Sequence, residues 1–224
     1  MTKASSTAQR LTAEALGSAL LLAAVVGSGI MGERLAAGNV AIALLANTLV
    51  TGAMLFVLIT IFGPISGAHF NPAVSAVAAF QREITWKLCI AYIGVQVAGA
   101  LIGVAAAHVM FEMPVVQLSV KQRPGAAQLF SELVATFGLI TTIIATVRYA
   151  PSRVAAAVAS YIVAAYWFTA STSFANPAVT VARAVTDTFA GIRPIDAPAF
   201  LLAQLCGAFA AMLLASWLLS PRVR

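Results

Sequence analysis

Long apolar runs separated by short polar breaks dominate the pattern of this chain. Six runs approach or exceed the roughly 20 residues that a transmembrane helix needs, at about 11–31, 39–62, 86–109, 127–147, 154–170 and 198–219. Two further apolar segments, at about 71–80 and 176–186, are too short to cross a bilayer and must enter and leave on the same side. The pattern predicts an all-α membrane protein with six transmembrane helices and two re-entrant half-helices.

Composition supports a membrane location. Of the 224 residues, 61% are hydrophobic and only 9% are charged, whereas a soluble domain carries about 25% charged residues. Such a chain cannot cover a water-facing surface, so the lipid bilayer is its expected surrounding. No polar linker divides the sequence, and we therefore expect a single domain over residues 1–224.

The net charge of +6 could indicate a nucleic-acid partner, but the positions of the basic residues argue against one. Most flank apolar runs, a placement that is typical of topology signals. None form a stripe interleaved with aromatic residues, as a nucleic-acid-binding surface would. Six spans place both termini on one side, and the basic residues on that side are Lys3, Arg10, Arg82, Lys87, Arg148, Arg153, Arg222 and Arg224. The other side holds fewer, namely Arg34, Lys121, Arg123, Arg183 and Arg193. The excess predicts cytoplasmic termini.

The chain repeats itself. A carboxylate, an Asn-Pro-Ala motif and a glutamine recur in the same order in two halves, at about 11–109 and 127–219: Glu14 and Glu132, Asn71 and Asn176, Gln96 and Gln204. Each half has three spans, so the second half is inserted upside down relative to the first. An inverted repeat of this kind places its shared site near the middle of the bilayer.

Each Asn-Pro-Ala motif predicts the start of a helix. Asparagine is a preferred N-cap and proline is preferred at the first helical position, which fits Asn71-Pro72-Ala73 and Asn176-Pro177-Ala178. In an inverted repeat the two half-helices meet by their N-termini and present the positive ends of their dipoles to the membrane centre. Non-helical backbone at that depth is tolerated where it lines a water-filled cavity, so a pore is expected at the junction.

The residues around the two motifs offer both hydrogen-bond donors and acceptors. The carboxamides of Asn71 and Asn176 would donate to a passing oxygen. The preceding loops would accept through backbone carbonyls, and their residues are Gly67, Ala68, His69 and Phe70 in the first and Ser173, Phe174 and Ala175 in the second. A small uncharged molecule could exchange its water shell for these groups, whereas cations would be repelled by the positive helix ends.

These segments resemble the aquaporin, or major intrinsic protein, family. The stretch from Ser66 to Val74 is similar to that family's first signature, Ala91-Tyr92-Ile93 with Gln96 resembles its third span, and the resemblance covers about residues 11–219. It implies an aquaporin-like fold, a homotetramer with one pore per subunit, and a pore-lining role for His69.

The selectivity filter departs from the common family pattern. Most members have an arginine directly after the second motif, where this chain has Val179. Counting back from the motifs without gaps places Thr51, Ala164 and Ser173 at the other three filter positions. This small and mostly apolar set implies a constriction that is wider and less polar than in water-selective members.

Arg183 lies four residues after Val179, on nearly the same helix face. Helical side chains lean toward the N-terminus, so Arg183 could reach back and act as the filter's cationic donor. Alternatively, it could extend to the outer membrane interface.

A wide filter with valine after the second motif is similar to the glycerol-type members, and in particular to a bacterial branch associated with arsenic resistance. That resemblance implies a bacterial inner-membrane channel for glycerol-like polyols, neutral arsenite-type acids and water. A strictly water-selective channel is the alternative.

Glu14 and Glu132 lie inside apolar spans, where a carboxylate is functional or paired. One interpretation is a proton relay. The other, which the family resemblance also implies, is that each carboxylate accepts hydrogen bonds from the NH groups of a re-entrant loop. Gln96 and Gln204 are expected to serve as similar buried polar supports.

Two other classes of function are weaker. Inverted repeats also occur in secondary transporters, but coupled transport usually needs a titratable group at the midplane, where this chain has neutral asparagines. An enzyme is not supported, because the sequence contains no catalytic motif and no metal-ligand spacing. We therefore expect neither a cofactor nor a bound metal.

Overall fold

The computed structural model describes residues 5–219. Over this range the chain forms eight α-helices and one short 3₁₀ turn, Pro151–Arg153. The helices are α1 Thr7–Leu35, α2 Val40–Ser66, α3 Pro72–Phe80, α4 Trp86–Met110, α5 Ala126–Tyr149, α6 Val154–Phe168, α7 Pro177–Arg183 and α8 Ala197–Leu218. The all-α architecture predicted from the apolar pattern is confirmed.

Five helices, α1, α2, α4, α5 and α8, are long and apolar enough to cross a membrane. Helix α6 ends before its predicted span of about 154–170 does. Its 15 residues cover only roughly 22 Å at 1.5 Å per residue. Many large apolar side chains on the long helices point outward and remain exposed, among them Leu49, Phe56, Ile90, Ile102, Leu202 and Leu213. This outer surface fits lipid rather than water.

Both half-helices begin where the sequence predicts. Asn71 and Asn176 are the N-caps of α3 and α7, and each adopts an extended backbone conformation. The side-chain oxygen of Asn71 accepts from the Ala73 NH at 2.9 Å, and that of Asn176 accepts from the Ala178 NH at 2.9 Å. Each cap satisfies an NH group that has no partner within its own helix.

The long helices pack in two equivalent sets. Helix α1 packs against α2 and α4, helix α5 packs against α6 and α8, and the two sets meet between α2 and α6. Within α4, Gly99 and Gly103 lie against the backbone carbonyls of Ala15 and Ala19, where a Cβ atom would collide with them. Small residues at these positions allow the close helix approach that is common in membranes. The half-helices α3 and α7 contact each other between the two sets.

The α4–α5 connection, residues 111–125, crosses the segment that links α7 to α8. The Ser119 NH donates to the Ala184 carbonyl at 3.0 Å, and the Arg193 NH donates to the Lys121 carbonyl at 2.8 Å. These backbone bonds fix the connection over the C-terminal end of α7, and they place Arg123 beside the second half-helix.

Candidate functional site

Two reciprocal hydrogen bonds join the Asn-Pro-Ala motifs. Asn71 Nδ2 donates to the Ala175 carbonyl at 2.8 Å, and Asn176 Nδ2 donates to the Phe70 carbonyl at 2.7 Å. Each asparagine therefore bonds to the residue directly before the other asparagine. The half-helices meet end to end at this point, and both asparagines line a cavity.

The site keeps free hydrogen-bonding groups of both kinds. Each carboxamide nitrogen carries two hydrogens and uses one in the reciprocal bond, which leaves one for a solute. Within the described residues, five loop carbonyls accept no hydrogen bond, namely those of Gly67, Ala68, His69, Ser173 and Phe174. Donors at the centre are therefore flanked by rows of acceptors.

The two loops share an unusual backbone. Ala68 and Phe70 in the first loop have φ angles of 51° and 48°, and Ser173 and Ala175 in the second have 47° and 47°. The left-handed region is unfavourable for residues other than glycine, so such conformations persist only where the surroundings hold them.

Glu14 holds the first loop. Its Oε1 accepts from the His69 NH at 3.0 Å and from the Ser66 hydroxyl at 2.6 Å, and its Oε2 accepts from the Phe70 NH at 2.7 Å. Gln96 Nε2 donates to Glu14 Oε2 at 2.8 Å. Neither Glu14 nor Gln96 lines the cavity.

Glu132 makes the same pattern in the second loop. It accepts from the NH groups of Phe174 and Ala175 at 2.8 and 2.9 Å and from Gln204 Nε2 at 2.6 Å. Glu132 and Gln204 are both fully buried. The two carboxylates thus occupy equivalent positions, and each turns the carbonyls of its loop away from itself by binding the adjacent NH groups.

The cavity has a volume of about 500 Å³ and runs past both motifs. At one end it is lined by Gln81, Glu83 and Arg148, and at the other it reaches α7. Its walls between these ends are mainly aliphatic, contributed by residues such as Leu21, Val25, Leu55, Val77, Ile140 and Val158. An apolar wall with a few fixed polar groups is suited to small solutes that are largely uncharged.

Four side chains surround the end of the cavity next to α7: Thr51, Tyr166, Ser173 and Val179. The Tyr166 hydroxyl lies 3.4 Å from Thr51 Oγ1. None of the four is charged. Three of them, Thr51, Ser173 and Val179, are residues that the sequence assigned to the filter.

The assignment of Ala164 to the filter is wrong. Ala164 is exposed on the outer surface of α6, whereas the cavity face of this helix carries Val154, Val158, Ile162 and Tyr166. Ala164 lies two residues beyond Ile162, which places it about 200° around the helix. Ungapped counting missed Tyr166, but the four-residue spacing of larger side chains along α6 could have identified it.

Arg183 matches neither of its two predicted placements. It is only 2% exposed, so it does not extend to the membrane interface, and it does not line the cavity. Its guanidinium lies over the Phe174 ring, with Cζ 3.4 Å from the ring centroid, and its Nε donates to the Ala190 carbonyl. The side chain does lean back toward the start of α7, but it stops behind Phe174.

His69 lines the cavity on the side of the first loop. Its Nδ1 is 3.0 Å from the Ser75 hydroxyl, and its ring packs edge-on against Tyr92 at 5.4 Å between centroids. Phe174 occupies the corresponding place in the second loop, so an imidazole on one side of the motifs is matched by a phenyl ring on the other.

Comparisons with known proteins show which proteins this chain resembles. The family model described as "Major intrinsic protein" matches residues 1–153. The chain is 57% identical over 213 residues to aquaglyceroporin AqpS from Rhizobium meliloti (strain 1021), covering 95% of this chain and 91% of that protein. The chain is also 33% identical over 95 residues to the glycerol uptake facilitator protein of Bacillus subtilis (strain 168). This shorter match covers 37% of this chain and 35% of that protein.

Among solved structures, the aquaglyceroporin from Plasmodium falciparum has a TM-score of 0.77 to this chain. The match covers 96% of this chain and 98% of that one. At 18% sequence identity, this likeness concerns the fold. The fold, the family model and the long match to a relative lead to one conclusion: the chain belongs to the major intrinsic protein family.

Proposed function

We propose that this chain is a passive transmembrane channel for water and small uncharged solutes such as glycerol, and that it is not an enzyme. The observation that carries the proposal is the reciprocal pair of bonds from Asn71 to Ala175 and from Asn176 to Phe70, at 2.8 and 2.7 Å. The pair places one free donor of each carboxamide in a cavity whose loops offer free carbonyls. A solute hydroxyl can exchange water for these groups at little cost in hydrogen bonding.

A passive mechanism follows from what the buried carboxylates do. Glu14 and Glu132 accept bonds from loop NH groups and glutamine amides, and neither lines the cavity. They act as supports in this proposal, and neither carboxylate is placed to exchange a proton with a solute in the cavity. The channel therefore moves solutes only down their own gradients.

We also propose that the pore accepts solutes larger than water. Val179 leaves the constriction without the planar cation that usually follows the second motif, while Thr51 and Ser173 are small. Glycerol-like polyols and neutral trivalent arsenic acids are the expected solute classes, and the name of the Rhizobium relative, an aquaglyceroporin, supports the first of them. Tyr166 narrows the end of the cavity next to α7 more than Ala164, the residue expected from sequence, would have done. Tyr166 therefore selects solutes by size in this proposal.

The assembly and orientation form part of the proposal. The protein is a multi-pass membrane protein, and the greater number of basic residues on one side supports cytoplasmic termini. We infer two inverted repeats, at about 11–109 and 127–219, from the matching bonds of Glu14 and Glu132. A homotetramer in a bacterial inner membrane is the expected form.

Stopped-flow light scattering on proteoliposomes tests the proposal. Vesicles that contain the channel should shrink and then recover rapidly in gradients of glycerol, urea or arsenious acid, whereas empty vesicles recover slowly. The matched pair is Asn176→Asp, which places a carboxylate in the cavity, and Asn47→Asp, which places one at a buried position outside it. Only the first should change solute flux or ion leak in protein that folds. Water flux without glycerol flux would instead identify a strictly water-selective channel.

A further inference from the structure

The end of the cavity next to α7, which we call its outer end, has no charged residue of its own. Thr51, Tyr166, Ser173 and Val179 line it, and the residue directly after the second motif is an apolar valine. An open pore that admits molecules larger than water also has room for partly hydrated cations. A fixed positive charge near this end would exclude them.

Arg123 is buried beside this end, although it comes from the distant α4–α5 connection. Its Nε donates to the Gly191 carbonyl at 2.9 Å and its Nη1 donates to the Ser171 carbonyl at 3.0 Å. Ser171 lies two residues before Ser173, in the loop that lines the cavity. Arg123 is therefore bonded directly to the backbone of the second pore loop.

The Phe174 ring connects Arg123 to the cavity wall. Arg123 Cζ lies 4.8 Å from the ring centroid, and Arg183 Cζ lies 3.4 Å from the same centroid. Phe174 itself lines the cavity. Two guanidiniums thus contact one aromatic side chain of the pore wall, a favourable arrangement for each cation taken separately.

Neither guanidinium is neutralised by an ion pair within residues 5–219. Asp196 accepts from the Arg123 backbone NH at 2.9 Å, but its ion pair is with Arg193 at 3.0 Å. Arg183 bonds to a carbonyl, and its Nη1 has no partner in the described part of the chain. Burial lowers the pKa of Arg123 to about 10, so this residue keeps its charge at neutral pH.

We propose that Arg123 is a selectivity residue of the channel, whose guanidinium supplies the positive charge that position 179 lacks and so excludes cations at the outer end. The inference rests on the proposed channel function and adds a residue to it. Arg183, on the same ring, strengthens the local positive potential. Neutral solutes are unaffected by this potential, whereas a cation would meet it before reaching Asn71 and Asn176.

The test measures two fluxes in the same proteoliposomes, namely K⁺ leak with a fluorescent indicator and glycerol flux by light scattering. In Arg123→Gln the ratio of K⁺ leak to glycerol flux should rise at least about tenfold, because the fixed charge is lost. The matched control is Arg34→Gln. Arg34 also bonds to a backbone carbonyl and covers an aromatic ring, both of Phe111, but it is exposed, and Phe111, unlike Phe174, does not line the cavity. The control ratio should stay at the wild-type value.

Two further variants separate charge from folding. Arg123→Lys loses the fork of donors but keeps the charge, so it should still exclude K⁺. Adding Val179→Arg to Arg123→Gln should restore exclusion by placing a cation at the usual filter position. A glycerol-conducting Arg123→Gln with wild-type K⁺ leak overturns the proposal, as does an Arg123→Lys channel that conducts glycerol and leaks K⁺. A wild type that conducts no solute would contradict the channel function instead.

Discussion

The Tyr166 hydroxyl lies 3.4 Å from the Thr51 hydroxyl, across the end of the cavity next to α7. The two residues belong to α6 and α2, the helices through which the two sets of helices meet. Their contact is expected to set the width of the pore on this side, and the weak, long bond can yield to a solute that offers a hydroxyl of its own.

Tyr166 is expected to set the upper size limit for solutes. Tyr166→Ala removes the ring and should raise the flux of polyols larger than glycerol, such as erythritol, relative to glycerol itself. Ala164→Leu provides the control, since it adds bulk at the position that sequence counting assigned to the filter but that faces outward. Light-scattering rates for both polyols measure the ratio. If the ratio of erythritol to glycerol flux changed in Ala164→Leu but not in Tyr166→Ala, Ala164 would be the filter residue instead.

Val179→Arg should narrow the constriction and add a planar fork of donors. Val179 is buried against the cavity, so the new side chain must enter the pore. We expect glycerol permeability to fall by about tenfold or more, with a smaller loss for water, because a narrow polar constriction still admits water. The two permeabilities, measured in the same vesicles, give the answer. An equal loss of both would indicate damage to the fold rather than selection by size.

Glu132 is expected to be a structural support. Glu132→Leu leaves the NH groups of Phe174 and Ala175 without an acceptor, which should cost about 1–3 kcal/mol for each group. Glu132→Gln retains an acceptor oxygen and should keep most of the activity and stability. Thermal unfolding in detergent and glycerol flux measure the two effects. The relay interpretation would be favoured if the Gln variant lost flux and the wild type showed a pH dependence that this variant lacks.

Local patterns in the sequence were sufficient for much of the site. The starts of α3 and α7 follow from capping preferences and appear as predicted, because an N-cap depends on only a few neighbouring residues. A buried carboxylate in an apolar span must find donors, and the structure supplies them from the loops that precede Asn71 and Asn176.

What the sequence could not predict depends on contacts between distant segments. The position of Ala164 was inferred from a residue count, but the face that α6 turns to the cavity is set by its packing against α2. Arg183 packs behind Phe174, where its Nε donates a hydrogen bond to the Ala190 carbonyl. The placement of Arg123 requires the α4–α5 connection to cross the α7–α8 segment, and no local pattern indicates that crossing.

The most direct test of passive conduction follows radiolabelled glycerol into proteoliposomes until uptake stops. A channel should bring the inside and outside concentrations to the same value, whether or not a proton or sodium gradient is imposed, and should act equally in both directions. We expect a final concentration ratio of about 1 under every gradient, because a pore without coupling shifts no equilibrium. Accumulation above the outside concentration under a proton or sodium gradient would contradict a passive channel and indicate a coupled transporter.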